Sequence, residues 1–183
     1  MIDIIEEKLG DSSDCNRIKT SEIASFNSSA DYSISKFNEQ TLTDFKKNTP
    51  VFLRMVREEN FEIGFTNNLD KLVADLIERN PMIAIIWLNN IYVNYYSDTK
   101  VLLALLFTIS RIDNNLIRQS LVIIAIAGLA HSDIEIRESS IMCFENWGDI
   151  SSLNGLKDSI KDPVDWIQEY KEQVILDIEK SLS

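Results

Sequence analysis

Helix-breaking residues are nearly absent from this chain, and that scarcity limits its fold more than any other feature. Five glycines and three prolines stand among 183 residues. That is about 4%, where ordinary globular chains carry about 12%. Sheets built on tight turns, and disordered polar tails, use more of both. The prolines share one kind of neighbour: Thr49-Pro50, Asn80-Pro81 and Asp162-Pro163. A side-chain acceptor followed by Pro reads as an N-cap and then the first helical position, where the missing N–H costs nothing. Each pair is therefore expected to start a helix. Ser132-Asp133-Ile134-Glu135 reads as a capping box with Ser132 at the cap. Gly148, after Trp147, reads as the left-handed residue that ends a helix.

Apolar periodicity agrees. Leu69, Leu72, Val73, Leu76 and Ile77 form one helical stripe. Ile136, Ser140, Cys143, Phe144 and Trp147 form a second, and Val164, Ile167, Val174, Ile178 and Leu182 a third. Trp147 is accordingly expected in the core. The segments near 99–112 and 115–129 are apolar on almost every side, which demands cover on several faces. Earlier in the chain the reading is a short amino-terminal helix, a polar serine-rich loop over 11–36, helices near 38–48 and 50–60, and a connector at 61–65. The expected fold is all-α and a single domain, 1–183, with residues 1–80 supplying amino-terminal helices and the polar loop.

From residue 81 onward the pattern repeats. Helix pairs are expected at 81–96 with 99–112, 114–129 with 133–147, and 150–160 with 163–182. Pair starts near Pro81, Asn114 and Asp149 lie 33 and 35 residues apart, and the second helices open on Val101, Ile136 and Ile167, spaced 35 and 31. Such periods mark α-solenoids. The run Ser132-Asp133-Ile134-Glu135-Ile136-Arg137-Glu138-Ser139-Ser140, followed by Trp147-Gly148-Asp149, resembles the turn and second helix of HEAT-like repeats. Asp162-Pro163-Val164-Asp165-Trp166-Ile167-Gln168-Glu169 resembles the same segment. Gln168 and Leu102 stand where the middle unit has Arg137, and Ser139 and Ser140 replace the usual alanines. The resemblance implies a short right-handed α–α superhelix over 81–183, whose second helices line a binding face.

Composition removes several kinds of function. Against 18 Lys and Arg stand 29 Asp and Glu, a formal charge of −11. Nucleic acid and anionic membranes call for a basic patch, so neither is an expected partner, and a basic protein is. The acidic start of the chain carries no secretory signal pattern. The apolar blocks 101–110 and 121–130 are each about half of the ~20 residues that a spanning helix needs. Two distant cysteines, Cys15 and Cys143, fit a reduced, cytoplasmic protein. One histidine, His131, leaves no metal-ligand cluster, and it is read as a surface turn residue rather than a catalytic base. No Gly-rich phosphate loop occurs, so no cofactor and no catalytic residue is assigned.

The acidity is concentrated. Residues 113–183 carry 13 acidic and 6 basic side chains, net −7. At 100° per residue, Glu135, Glu138 and Glu145 point away from or flank the apolar side of helix 133–147. Asp165, Glu169 and Glu172 do so on helix 163–182, with Trp166 at the edge. These seven residues are the candidate partner-binding set. A small acidic helical chain without a catalytic constellation resembles immunity proteins of bacterial toxin systems, including those of contact-dependent growth inhibition. That resemblance implies inhibition of a basic nuclease toxin. A helical-repeat scaffold for another protein is the alternative. An enzyme of the HEAT-like DNA glycosylase kind would need a basic groove, which the −7 balance opposes.

Overall fold

A computed structural model describes residues 35–58 and 67–183. The amino-terminal helix, the polar loop up to residue 34, Cys15 and the connector at 61–65 lie outside the described residues. The chain divides into two compact units, Met1–Thr41 and Leu42–Ser183. In the first, the described residues 35–41 are helical. This helix, α1, spans 35–46 and contributes its last turn to the second unit, where Phe45 is buried. There follow α2 (Thr49–Glu58), α3 (Asn68–Arg79), α4 (Pro81–Asn94), α5 (Thr99–Ser110), α6 (Asn115–Leu129), α7 (Ile134–Trp147), α8 (Ile150–Asp158) and α9 (Asp165–Leu182). No strand occurs among the described residues, so the fold is all-helical.

Turn chemistry sets most boundaries. Asn80 accepts a hydrogen bond from the Ile83 N–H and Pro81 opens α4, as Asn80-Pro81 predicts. Asn67 and Asp70 form a full capping box on α3: each side chain takes the other's backbone N–H. Asp98, Asn114 and Asp149 cap α5, α6 and α8. Gly148 closes α7 with φ 59°, the left-handed conformation that a side chain disfavours.

Three local expectations are corrected. The cap of α7 is Asp133 rather than Ser132, with its carboxylate taking the Glu135 N–H at 2.9 Å. Thr49 lies inside α2, and its hydroxyl accepts from the Trp87 ring N–H at 2.9 Å. Asp162-Pro163 does not open α9, which starts at Asp165 with no side-chain cap. Asp162 is instead buried against Arg137.

Packing follows one scheme over residues 81–183. Helices α4, α6 and α8 lie side by side in one layer, and α5, α7 and α9 in another. Each sequential pair joins the layers through a short turn. Helices α5 and α7 are linked by bonds between residues 34 to 38 apart: Thr99 to Asp133, Cys143 to the Leu106 carbonyl, and the Trp147 ring N–H to the Ile109 carbonyl at 3.2 Å. Trp147 is 6% exposed and stacks edge-on to Phe144. The core position read from the stripe is thus borne out. Its polar atom is satisfied by the preceding helix pair.

Gly128 marks a close approach of α6 to α7. A Cβ there would lie 2.0 Å from the Ser140 hydroxyl. Ser140 is fully buried and turns that hydroxyl onto the Ile136 carbonyl at 2.7 Å. Small residues at both positions let the helix axes come together.

Candidate interaction face on α7 and α9

All seven candidate residues, Glu135, Glu138, Glu145, Asp165, Trp166, Glu169 and Glu172, are exposed. Their positions follow from the core: the apolar stripes of α7 and α9 turn inward, so the opposite side of each helix is left to solvent. Trp166 keeps 48% of its surface exposed, an unusual outlay of aromatic area on a charged face.

The structure brings part of the set together. A cleft of about 880 Å³ runs between α5, α7 and α9, and Glu138 and Glu145 line it. Phe107, Met142 and Tyr170 form apolar wall, and Arg111 and Arg118 also reach it. The Tyr170 hydroxyl donates to Glu145 at 2.5 Å, joining α9 to α7. Burial, then the bond to Glu145 and the nearby negative charge of Glu138, push the Tyr170 phenol well above its ordinary range. The phenol thus stays protonated and remains a donor. Glu135, Asp165, Trp166, Glu169 and Glu172 do not line this cleft. They extend the acidic surface beyond it. Tyr170 was not in the sequence-derived set. Its spacing of four from Trp166 placed it on the same flank of α9, and only the α7–α9 contact turned it toward Glu145.

Charge pairing sharpens the asymmetry. Four of the six cations in residues 113–183 are engaged within the chain. Arg137 bonds Asp162 at 2.7 Å and sends Nη1 to the His131 and Ser132 carbonyls. Lys157 pairs with Glu179. Arg118 sits on the Trp147 carbonyl at 3.4 Å. Lys171 is buried, donating to Ser159 Oγ and the Ile160 carbonyl, and burial lowers its pKa against the opposing pull of Asp162 and Glu172. None of the six candidate carboxylates belongs to an ion pair among the described residues.

His131 is not the surface residue the sequence suggested. It is 6% exposed and lies against the Tyr96 ring. Its Nδ1 accepts the Asp133 N–H at 3.0 Å and its Nε2 sits 3.1 Å from the Tyr96 carbonyl. An acceptor at Nδ1 and a carbonyl at Nε2 define the neutral Nε2–H tautomer. Both ring nitrogens therefore serve the backbone of the α4–α5 and α6–α7 turns. Burial raises the Cys143 thiol far above its usual range, which removes it as a nucleophile. No group of three or more His, Cys, Asp or Glu suited to a metal occurs among the described residues. No described helix is long and apolar enough to cross a membrane.

No protein-family model, curated protein or solved structure matches the chain.

Proposed function

We propose that the chain is a non-catalytic inhibitor that neutralises a basic protein, most specifically an immunity protein directed at a bacterial nuclease toxin of the contact-dependent growth-inhibition kind. The reading rests on one observation. The six candidate carboxylates of α7 and α9 face solvent without an ion-pair partner among the described residues, while four of the six bases of residues 113–183 are held by bonds within the chain. A surface arranged in this way presents its negative potential outward, and a nuclease cleft built for phosphates is its complement. Glu135, Glu138, Glu145, Asp165, Glu169 and Glu172 steer the partner, and Trp166 supplies an apolar anchor. In this reading residues 81–183 are three HEAT-like helix pairs in a right-handed superhelix. The α5, α7 and α9 layer is its binding side. The inhibitor acts in the cytoplasm, where a nuclease would meet nucleic acid.

The test is a titration of the chain against the product of the neighbouring gene, which this reading expects to be a basic nuclease, with growth protection as the cellular readout. Glu138→Lys, Glu145→Lys and Glu169→Lys together should weaken binding sharply at low salt and leave the helical signal intact, since exposed substitutions seldom cost much stability. Wild-type affinity should fall as salt rises. An unchanged affinity of the folded triple variant at low salt overturns the acidic-face mechanism. A neighbouring product that this chain neither binds nor restrains overturns the inhibitor reading.

A further inference from the structure

The layer opposite the acidic face carries a surface of the contrary character. Residues 81–97 contain no charged side chain, and residues 114–130 contain only Arg118, which reaches the cleft on the other side. Yet both helices present large apolar side chains outward. On α4 these are Met82 (64% exposed), Ile86 (39%) and Val93 (70%), and on α6 they are Leu116 (75%), Ile123 (60%) and Ile126 (45%). Spacings of four and seven put the α4 residues on one stripe, and spacings of seven and three do the same on α6. The two helices are packed neighbours, so the stripes adjoin. Charge resumes at the rim, with Lys71, Asp75, Glu78 and Arg79 exposed on α3, Lys157 and Asp158 on α8, and Asp98, Lys100 and Asp113 at the helix ends. A helix apolar all round is a buried helix, and a contiguous apolar patch rimmed by charge marks an association surface.

We infer that this α4–α6 face is where a second copy of the chain docks, making a reversible two-fold symmetric dimer. Charge selects the occupant. A basic partner finds no carboxylate on this face to draw it there. A membrane-surface helix carries Lys and Arg beside its apolar side, and α4 has neither. Another copy, itself at −11, is repelled by every acidic surface of the first. Of the two layers described for residues 81–183, the α4–α6 face is the one where two copies meet without setting like charges against each other. A two-fold axis places the same stripes against each other, so one apolar patch satisfies both.

Area sets the strength. Helices of 14 and 15 residues are ~21–22 Å long, and side by side they are ~20 Å wide, so each copy offers a footprint of ~400 Å². Two copies bury ~800 Å² in projection, below the ~1,200 Å² where stable interfaces begin. The dimer is therefore weak and dissociates on dilution. The inference is independent of the inhibitor reading, because the two faces belong to opposite layers.

Sedimentation equilibrium of the full chain over a dilution series tests it. The expected mass is twice the 21.0 kDa of the chain at high concentration, falling two-fold to the monomer on dilution. Added salt should leave the association unchanged or tighten it, because screening removes repulsion between copies while an apolar contact has no attraction to lose. The double variant Val93→Glu, Ile123→Glu should be monomeric throughout with an unchanged helical signal. Met82→Ser with Leu116→Ser serves as a second pair should the first lose that signal. The α7 and α9 charge reversals should leave the dimer intact. A wild type that stays at 21.0 kDa up to hundreds of micromolar, or a dimer that persists in a folded variant, overturns the inference.

Discussion

Replacing Arg137 by Ala probes the contact that joins the second and third helix pairs. The Arg137 and Asp162 side chains are 10% and 7% exposed, and Nε meets Oδ2 at 2.7 Å. Nη1 also holds the His131 and Ser132 carbonyls, at 3.1 and 3.0 Å. Arg137→Ala leaves a buried carboxylate without its ion-pair partner and two carbonyls without a donor. Breaking a buried pair from one side costs about 3–5 kcal/mol. For a chain of this size that corresponds to a Tm lower by roughly 6–20 °C. Asp162→Asn should cost less, because the amide oxygen can still accept the Val164 N–H that Oδ1 now takes at 2.8 Å. The double variant Arg137→Ala, Asp162→Asn removes both charges. It should lose only about 2 kcal/mol, mainly for the two carbonyls. The singles and the double should thus depart from additivity by about 2–3 kcal/mol. Urea unfolding followed by helical circular dichroism measures all four corners of the cycle. A single variant within about 1 kcal/mol of wild type, or additive losses, would refute the buried-pair argument.

Three further perturbations follow from the geometry. Gly128→Ala should destabilise by about 1–3 kcal/mol, because its Cβ meets the Ser140 hydroxyl, and Ser140→Ala should restore much of that loss in the same unfolding assay. Trp147→Ala should cost about 3–5 kcal/mol, since it empties a buried aromatic site and strips the Ile109 carbonyl of its partner; a midpoint near wild type would contradict it. The Thr99 hydroxyl, ahead of the α7 backbone N–H groups, holds the Asp133 carboxyl below its ordinary range. A depressed folded pKa contributes stability that is present above the unfolded value of about 3.9 and is lost as pH falls through the folded one. Thr99→Val should therefore be less stable than wild type at neutral pH. The gap should narrow as pH drops below about 4, as unfolding across a pH series would show; a constant gap would contradict the linkage.

Helix content and several helix boundaries were legible in the residues because both are local. Apolar spacing decides which side of a helix turns inward, and a cap or a left-handed glycine needs only its immediate neighbours. Hence Asn80-Pro81, Gly148 and the Trp147 stripe could be read directly, and so could the outward side of α7 and α9 that exposes the candidate carboxylates. The Asn67 and Asp70 box was equally readable from its spacing of three.

What the local pattern could not decide was which acceptor a distant donor would claim. Asp162-Pro163 has the form of a cap, but beyond the Val164 N–H its carboxylate is held by a buried guanidinium 25 residues earlier, and α9 opens only at Asp165. His131 sits in a polar turn, yet the α4–α5 turn closes over it and its ring is consumed by the Tyr96 and Asp133 backbone. The Tyr170–Glu145 bond, and the contrast between a charged α7–α9 face and a neutral α4–α6 face, arise only when the layers pack. Sequence alone determined the helices and the sign of the charge. Tertiary structure decided where that charge is displayed, because burial holds Arg137 and Lys171 on internal acceptors while the candidate carboxylates are left facing water.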